Sequence, residues 1–400
     1  MVKSSEYKDL ESKYYMQVVN RMPPVLVRGS GSYVYDNENK SYLDFTAGWA
    51  VLNLGHSHPE TTKAIQDQSS KIIQMSNLFF TTPQLGLAEI IVENSDIDRV
   101  FFCNSGAEAN EGACKLARKW GKKKLGGAYE IITALDSFHG RTQAMMAATG
   151  QPHYQENWKP LMPGFVNVKY NSLSAIKEVF SKDKTCAVLL EPIQGEGGVN
   201  VPDDNYLESV MDFCKENNIL FMLDEVQTGM GRLGKLFGYQ RFKNIQPDVI
   251  TLGKALGAGT PLGAFASKEY CSVLEPGDHG STFGGNALTT AAGKAAANYM
   301  VKNNIPSLAL ETGIYLTKKL ESLKSKYDFI IEIRGMGLLI GMEMNKDISS
   351  EIVKICLEKG LLLNAVRPNM LRFMPPLNVS KKEIDIAIKI LDESISKTIN

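Results

Sequence analysis

The chain has 400 residues, 44 Lys+Arg set against 44 Asp+Glu, with 44% hydrophobic and 22% charged residues. That length supports two or three domains and a core that needs no staples. The balanced charge argues against a basic nucleic-acid binder and against an acidic disordered tail, which leaves a soluble, enzyme-sized protein.

Residues 1–15 mix charge and polarity without an apolar h-region, so an ordinary secretory signal is excluded. Residues 31–45 read as a hairpin turning at Asp36-Asn37. His56-Ser57-His58-Pro59 offers two histidines, too few to close a zinc site, and reads as a turn before a helix; no metal is expected. Further on, 99–103, 130–134, 187–190, 219–223 and 248–252 are short apolar strand candidates, with helical patterns between them, for example over 107–119 and 206–216. Apolar strands alternating with helices indicate a parallel sheet covered on both faces. Residues 308–326 and 381–398 read as amphipathic helices flanking a β-like segment, 331–344. The longest apolar runs, such as 219–223 and 337–342, cannot span a bilayer, so no membrane partner is expected. Cys103, Cys114, Cys186, Cys214, Cys271 and Cys356 are scattered without a C-x-x-C pair and read as reduced, mostly buried thiols of a cytoplasmic protein.

Two glycine patterns are decoys. Gly229-Met230-Gly231-Arg232-Leu233-Gly234 matches a dinucleotide fingerprint, but it begins six residues after Leu223 and no clear helix follows. The same stretch through Lys235 resembles a phosphate loop, yet Leu236 stands where Ser or Thr must reach magnesium.

The informative residues sit at strand ends, where open α/β sheets bind ligands. Strand 219–223 delivers Asp224-Glu225-Val226-Gln227, and strand 248–252 delivers Gly253-Lys254. Strand 99–103 runs into Asn104-Ser105-Gly106-Ala107-Glu108-Ala109-Asn110, small residues opening a helix start toward a phosphate. Strand 130–134 ends near Phe138-His139-Gly140-Arg141. A lysine for a Schiff base, an acid for a pyridinium nitrogen, an aromatic for a ring face and a phosphate nest are the parts pyridoxal phosphate requires.

These motifs, together with Glu191-Pro192-Ile193-Gln194-Gly195-Glu196 and His279-Gly280-Ser281-Thr282-Phe283-Gly284-Gly285, resemble those of the class III (ornithine-type) aminotransferases of fold type I, from residues 24–29 to 371–376. The resemblance implies an α/β protein: a large domain with a mostly parallel seven-stranded sheet, plus a small α+β domain built from both chain ends. The expected division is 1–50 and 291–400 for the small domain and 51–290 for the large, cofactor-binding one. Lys254 and Asp224 would be catalytic, Lys254 carrying pyridoxal 5'-phosphate and shuttling the proton. Ser105, Gly106, Ala107, Phe138, Glu225, Val226 and Gln227 would join them around the cofactor, and Thr282 would reach the phosphate across a homodimer interface.

The resemblance also assigns the substrate charges. Arg141 would hold the α-carboxylate of the amino donor, then the distal carboxylate of 2-oxoglutarate. Arg372 would hold the α-carboxylate of 2-oxoglutarate or glutamate, and Glu196 would neutralise Arg372 while the donor is bound. Ser281 would touch the donor. The implied reaction moves the δ-amino group of N-acetylornithine to 2-oxoglutarate in arginine biosynthesis. Succinylornithine, succinyl-diaminopimelate, free ornithine and 4-aminobutyrate are the other donors, and an aminomutase or decarboxylase of the same fold ranks lower because Glu196 and Arg372 argue for a glutamate half-reaction. A non-catalytic relative is disfavoured by Lys254, Asp224 and both arginines. Two residues depart from the pattern. Val19 stands where the ornithine-type enzymes carry a tyrosine, which argues against free ornithine. Trp49 replaces a smaller aliphatic residue and either reshapes the acyl pocket or packs in the core.

Overall fold

Val-, Ile- and Leu-rich runs become strands where both of their faces can be covered, and the computed structural model, which describes residues 4–399, pairs them into three sheets. The polar start expected over 1–15 therefore extends, at 1–3, outside the described residues, as does position 400 of the expected C-terminal segment. Near the amino end β1 (Leu26–Ser30), β2 (Tyr33–Asp36) and β3 (Ser41–Asp44) form an antiparallel meander. The middle of the chain supplies β4 (Arg99–Cys103), β5 (Glu130–Ala134), β6 (Phe165–Val168), β7 (Thr185–Leu190), β8 (Leu220–Asp224), β9 (Val249–Leu252) and β10 (Gly263–Ser267). The last quarter adds β11 (Ile330–Met336), β12 (Leu339–Met344), β13 (Leu361–Leu362), β14 (Asn364–Arg367) and β15 (Met370–Phe373).

The central sheet has seven strands in the order β4-β10-β9-β8-β7-β5-β6. It is mostly parallel; β10 alone runs antiparallel to both neighbours, β4 and β9. β7 and β8 are buried at every position, as strands covered on both faces require. The helix Gly106–Lys124 packs over one face, where a Cβ at Gly112 would lie 2.3 Å from the Phe265 ring, so only glycine allows this approach. Antiparallel β11-β12-β15-β14 forms a separate small sheet, and β13 pairs in parallel with β3, joining the two ends of the chain.

Some local expectations change. The β2–β3 hairpin turns from Asp36-Asn37 onward, with the Asn39 N–H on the Asp36 carbonyl at 3.0 Å, and the Asp36 Oδ1 extends it by accepting from the N–H groups of Glu38 and Lys40, each at 2.9 Å. β1, β6 and β10 were absent from the sequence reading; β10, Gly263-Ala264-Phe265-Ala266-Ser267, has no β-branched residue to announce a strand. The helices over Ile305–Lys326 and Lys381–Ile399 flank the β11–β12 hairpin as the periodicity indicates. His58 immediately precedes the helix Pro59–Ser69, and His56 Nε2 donates to Asp44. Among the described residues no group of three or more His, Cys, Asp or Glu could hold a metal, and no helix is long and apolar enough to cross a membrane. All six cysteines are free and buried.

Candidate active site

Strand register sets the site. β7 and β8 align Leu190 with Leu223, and β8 and β9 align Asp224 with Thr251, so the segments that follow these strands leave the sheet side by side. They enclose a cavity of about 270 Å³ lined by Gly106, Ala107, Phe138, Arg141, Glu196, Asp224, Val226, Gln227 and Lys254, all singled out in the sequence, with Asn110, His139, Gly140 and Glu191 beside them.

Asp224 is 3% exposed and tightly held. Its Oδ2 accepts from His139 Nδ1 at 2.8 Å and from Asn110 Nδ2 at 2.7 Å, and its Oδ1 accepts from the Val226 N–H at 3.0 Å. Asn110 is fixed in turn by Thr251 Oγ1, which donates to its Oδ1 at 2.7 Å. Lys254 follows β9 at a φ of 44°, a left-handed conformation that few L residues adopt and that tends to collect at working sites. Burial lowers the proton affinity of its amine; Glu196 opposes that effect and Arg372 adds to it. Burial first, and then the Asp224 charge, push the Glu191 carboxyl well above the usual carboxylate range. Glu191 Oε2 accepts from the Phe138 N–H at 3.2 Å.

The second set of charges lies alongside. Arg372, on β15, is fully buried, and its Nη1 donates to Glu196 Oε1 at 2.8 Å. Nε donates to Asn364 Oδ1 at 3.1 Å, while Nη2 has no partner. Gln227 bridges the pair, donating Nε2 to Glu196 Oε1 at 3.2 Å. Burial would raise the Glu196 carboxyl, but Arg372 and Lys254 outweigh it and hold the group below its ordinary value. Arg141 differs: it is exposed, its guanidinium lies over the rings of Phe138 and Tyr154 at 5.8 and 4.6 Å, and among the described residues it pairs with no carboxylate.

Not every expected residue reaches the cavity. Ser105 caps the helix Gly106–Lys124, accepting from the Glu108 N–H at 3.2 Å. Glu225 turns the other way: its carboxylate takes the N–H groups of Gly238 and Tyr239 and the Thr228 hydroxyl, so it shapes the following turn and does not face the cavity. This follows from β-strand alternation, which sends the neighbour of an inward Asp224 outward. Ser281 and Thr282 lie on another segment outside the cavity; Ser281 Oγ accepts from Asn104 Nδ2 at 3.1 Å, and Thr282 is exposed. Trp49 is 53% exposed at a φ of 67°, with the Arg372 guanidinium 5.7 Å from its ring, so it is not core packing. His139, Asn110 and Glu191 had no role in the sequence reading, although each lies inside a motif quoted there; a polar residue in such a motif with no surface reason was the available signal.

The residues suit pyridoxal phosphate. A half-buried lysine of lowered proton affinity shares the cavity with a buried aspartate that accepts three hydrogen bonds. A Cβ at Gly106 would lie 2.6 Å from Val226 Cγ1, so glycine leaves the helix start bare. Backbone N–H groups at such a start attract a phosphate.

A family model described as "Aminotransferase class-III" matches residues 14–395. An acetylornithine aminotransferase of Caldanaerobacter subterraneus subsp. tengcongensis is 50% identical over 388 residues, covering 97% of this chain and 98% of its own. That of Methanocaldococcus jannaschii is 49% identical over 387 residues, 96% of each chain. Among solved structures, an ornithine aminotransferase of Toxoplasma gondii, with partial occupancy of PLP at its active site, superposes with a TM-score of 0.94 at 32% identity, covering 99% of this chain and 95% of that one.

Proposed function

The chain belongs to the class-III aminotransferases, and on that premise we propose that it transfers the δ-amino group of N-acetylornithine to 2-oxoglutarate, yielding N-acetylglutamate semialdehyde and glutamate. It is a pyridoxal-phosphate-dependent enzyme acting on an amino donor and a keto acid. The observation that carries the substrate reading is the pair of half-buried Glu196 and fully buried Arg372 at 2.8 Å beside Lys254, set against an Arg141 that pairs with no carboxylate among the described residues. One arginine stands ready for every substrate, and the other is masked until a second carboxylate arrives. Full-length likeness to two enzymes named acetylornithine aminotransferase supports the acylated donor.

Pyridoxal phosphate, when bound, supplies an electron sink for the carbon bearing the amino group. Lys254 would hold it. Lys254 Nζ would then take the proton from the donor's δ-carbon and, in the second half-reaction, return one to the α-carbon of glutamate; a lowered proton affinity suits a base working near neutral pH. Asp224 would hold the ring nitrogen, oriented by its two side-chain donors, Asn110 and His139. Gly106 and Ala107 would take the phosphate, Val226 and Phe138 the two ring faces, and Gln227 the ring hydroxyl. Arg141 would bind the α-carboxylate of N-acetylornithine and later the distal carboxylate of 2-oxoglutarate. Glu196 would swing off Arg372 as the diacid enters, and the free Nη2 of Arg372 gives that arginine a second donor for a bidentate bond.

The active form is read as a cytoplasmic homodimer. Ile72, Ile73, Met75, Leu78, Phe79 and Phe80 are all exposed, an apolar run of the kind that marks an interface. This run is tied to the Ser281–Thr282 segment, since Gln74 donates to the Thr282 carbonyl and Asn77 to that of Ser281. A second copy covering the run would receive Thr282 at its phosphate site. Six free, buried thiols suit a reducing compartment.

A half-reaction panel tests the substrate. The holoenzyme is mixed with N-acetylornithine, succinylornithine, ornithine or 4-aminobutyrate, and the bound-cofactor absorbance is followed. N-acetylornithine should discharge it fastest; a faster response to ornithine or 4-aminobutyrate overturns the assignment.

A further inference from the structure

We infer that Arg334 is a positioning residue for Glu196: it clamps the loop that carries that carboxylate, so that accommodating the second substrate class is a side-chain movement on a fixed backbone. This rests on the reading of Glu196 and Arg372 given above.

The loop threads a narrow slot. A Cβ at Gly195 would lie 1.5 Å from Gln227 Oε1, and one at Gly197 would lie 2.4 Å from the Asp136 carbonyl oxygen. Gly198 follows at a φ of 110° and Val199 at 52°. A β-branched residue in the left-handed region is strained, and such strain persists only where the surroundings over-determine it. The surroundings here are specific. Gln194 and Asn200 close the loop with paired backbone bonds of 3.1 and 3.0 Å, and Asn200 Nδ2 donates to Gln194 Oε1 at 2.8 Å. Arg334, on β11, donates Nε to the Val199 carbonyl at 3.0 Å and Nη2 to the Gly198 carbonyl at 2.8 Å. Its Nη1 pairs with Glu332 and Glu343. A planar guanidinium presents two parallel donors to two adjacent carbonyls, which a lysine cannot do.

The two carbonyls lie two and three residues beyond Glu196 (198 and 199 against 196). Arg334 itself lines no part of the cavity that holds Lys254. It acts on the reaction only through where Glu196 stands. With the clamp gone, the strained Gly198–Val199 turn relaxes and Glu196 loses its register with Arg372 and Gln227. Arg372 is then uncompensated while the N-acylated donor is bound, and the site favours glutamate and 2-oxoglutarate.

The test uses holoenzyme of Arg334→Met, Arg334→Lys, Glu196→Gln and the Arg334→Met/Glu196→Gln double variant, with KM measured for N-acetylornithine and for glutamate. Loss of a charge-assisted contact is worth about tenfold or more. Arg334→Met should therefore raise the ratio of donor KM to glutamate KM about tenfold with the cofactor absorbance unchanged. Arg334→Lys should give a smaller rise, and it keeps the test readable if the Met variant does not fold. In the Glu196→Gln background, Arg334→Met should add nothing, the non-additivity expected of residues acting as one unit. Equal changes in both KM values, or full additivity in the double variant, overturns the inference alone. If Glu196→Gln itself leaves the ratio unchanged, the substrate reading fails and the inference falls with it.

Discussion

Asp224 and Glu196 line the same cavity and are held in opposite ways. Asp224 ends a central parallel strand, is 3% exposed, and takes three hydrogen bonds from groups that are themselves fixed. The Glu196 side chain sits on a glycine-flanked loop, is 27% exposed, and is held by one guanidinium and one amide. The first arrangement has a single solution. The second, on the function proposed above, has two, because the arginine it neutralises would also take a substrate carboxylate. On that reading the cofactor end of the site rests on a strand end, while the carboxylate proposed to serve two unlike substrates rests on a loop.

The sharpest way to break this contrast is at its shared centre. Lys254→Ala should lower kcat by about 10²–10⁴-fold, the usual contribution of a positioned base, and abolish the absorbance of the covalently held cofactor. Retained turnover would place the chemistry elsewhere. Arg372→Ala should raise the KM for 2-oxoglutarate roughly 10–100-fold, since charge-assisted bonds contribute about 1.5–3 kcal/mol each, and change the donor KM far less. Equal effects on both would refute the separation of roles.

Two smaller tests probe the strand-built side through its supports. Burial holds the Glu225 carboxyl up at about 7, against the bonds from Thr228, Gly238 and Tyr239. The folded chain then binds a proton that the unfolded chain releases above its ordinary value of 4.5. Stability should therefore fall as pH rises from about 4.5 to 7 and level off beyond, and Glu225→Gln should flatten that part of a pH–stability curve. Smallest of all, Ser105→Ala removes one helix cap and should cost about 1 kcal/mol in denaturant unfolding with KM values intact. A large KM effect would return Ser105 to the binding site.

The strand-built half was the more legible from sequence. β4, β5 and the helix Tyr206–Glu216 have the boundaries that the apolar patterns give, because short apolar runs and a one-sided helical stripe each have few alternatives. Asp224, Val226 and Lys254 reach the cavity because they lie at or just beyond the ends of β8 and β9. Glu225, named by the same motif, bonds to Thr228, Gly238 and Tyr239, a direction that the motif alone does not carry. Ser105 caps its helix here, and a serine before a helix serves the backbone as readily as a ligand. The supports of Asp224 could not be read at all. Asn110 and His139 come from different segments, 114 and 85 residues away, and only the folded sheet makes them neighbours. The Arg334 clamp is equally non-local, lying 135 and 136 residues from the carbonyls it holds.

The parallel pairing of β3 with β13 bears on how the chain is made. Lys40 reaches the Glu358 carbonyl across 318 residues, a separation that only a nearly finished polypeptide can close. The seven-stranded sheet uses nothing beyond Ser267, so it can assemble while the last third of the chain is still being synthesised. Long-range contacts of this kind are the slow ones to form. On the function proposed above, a newborn molecule would acquire its cofactor floor early and its means of telling one substrate from another last, when Arg372 is delivered on β15.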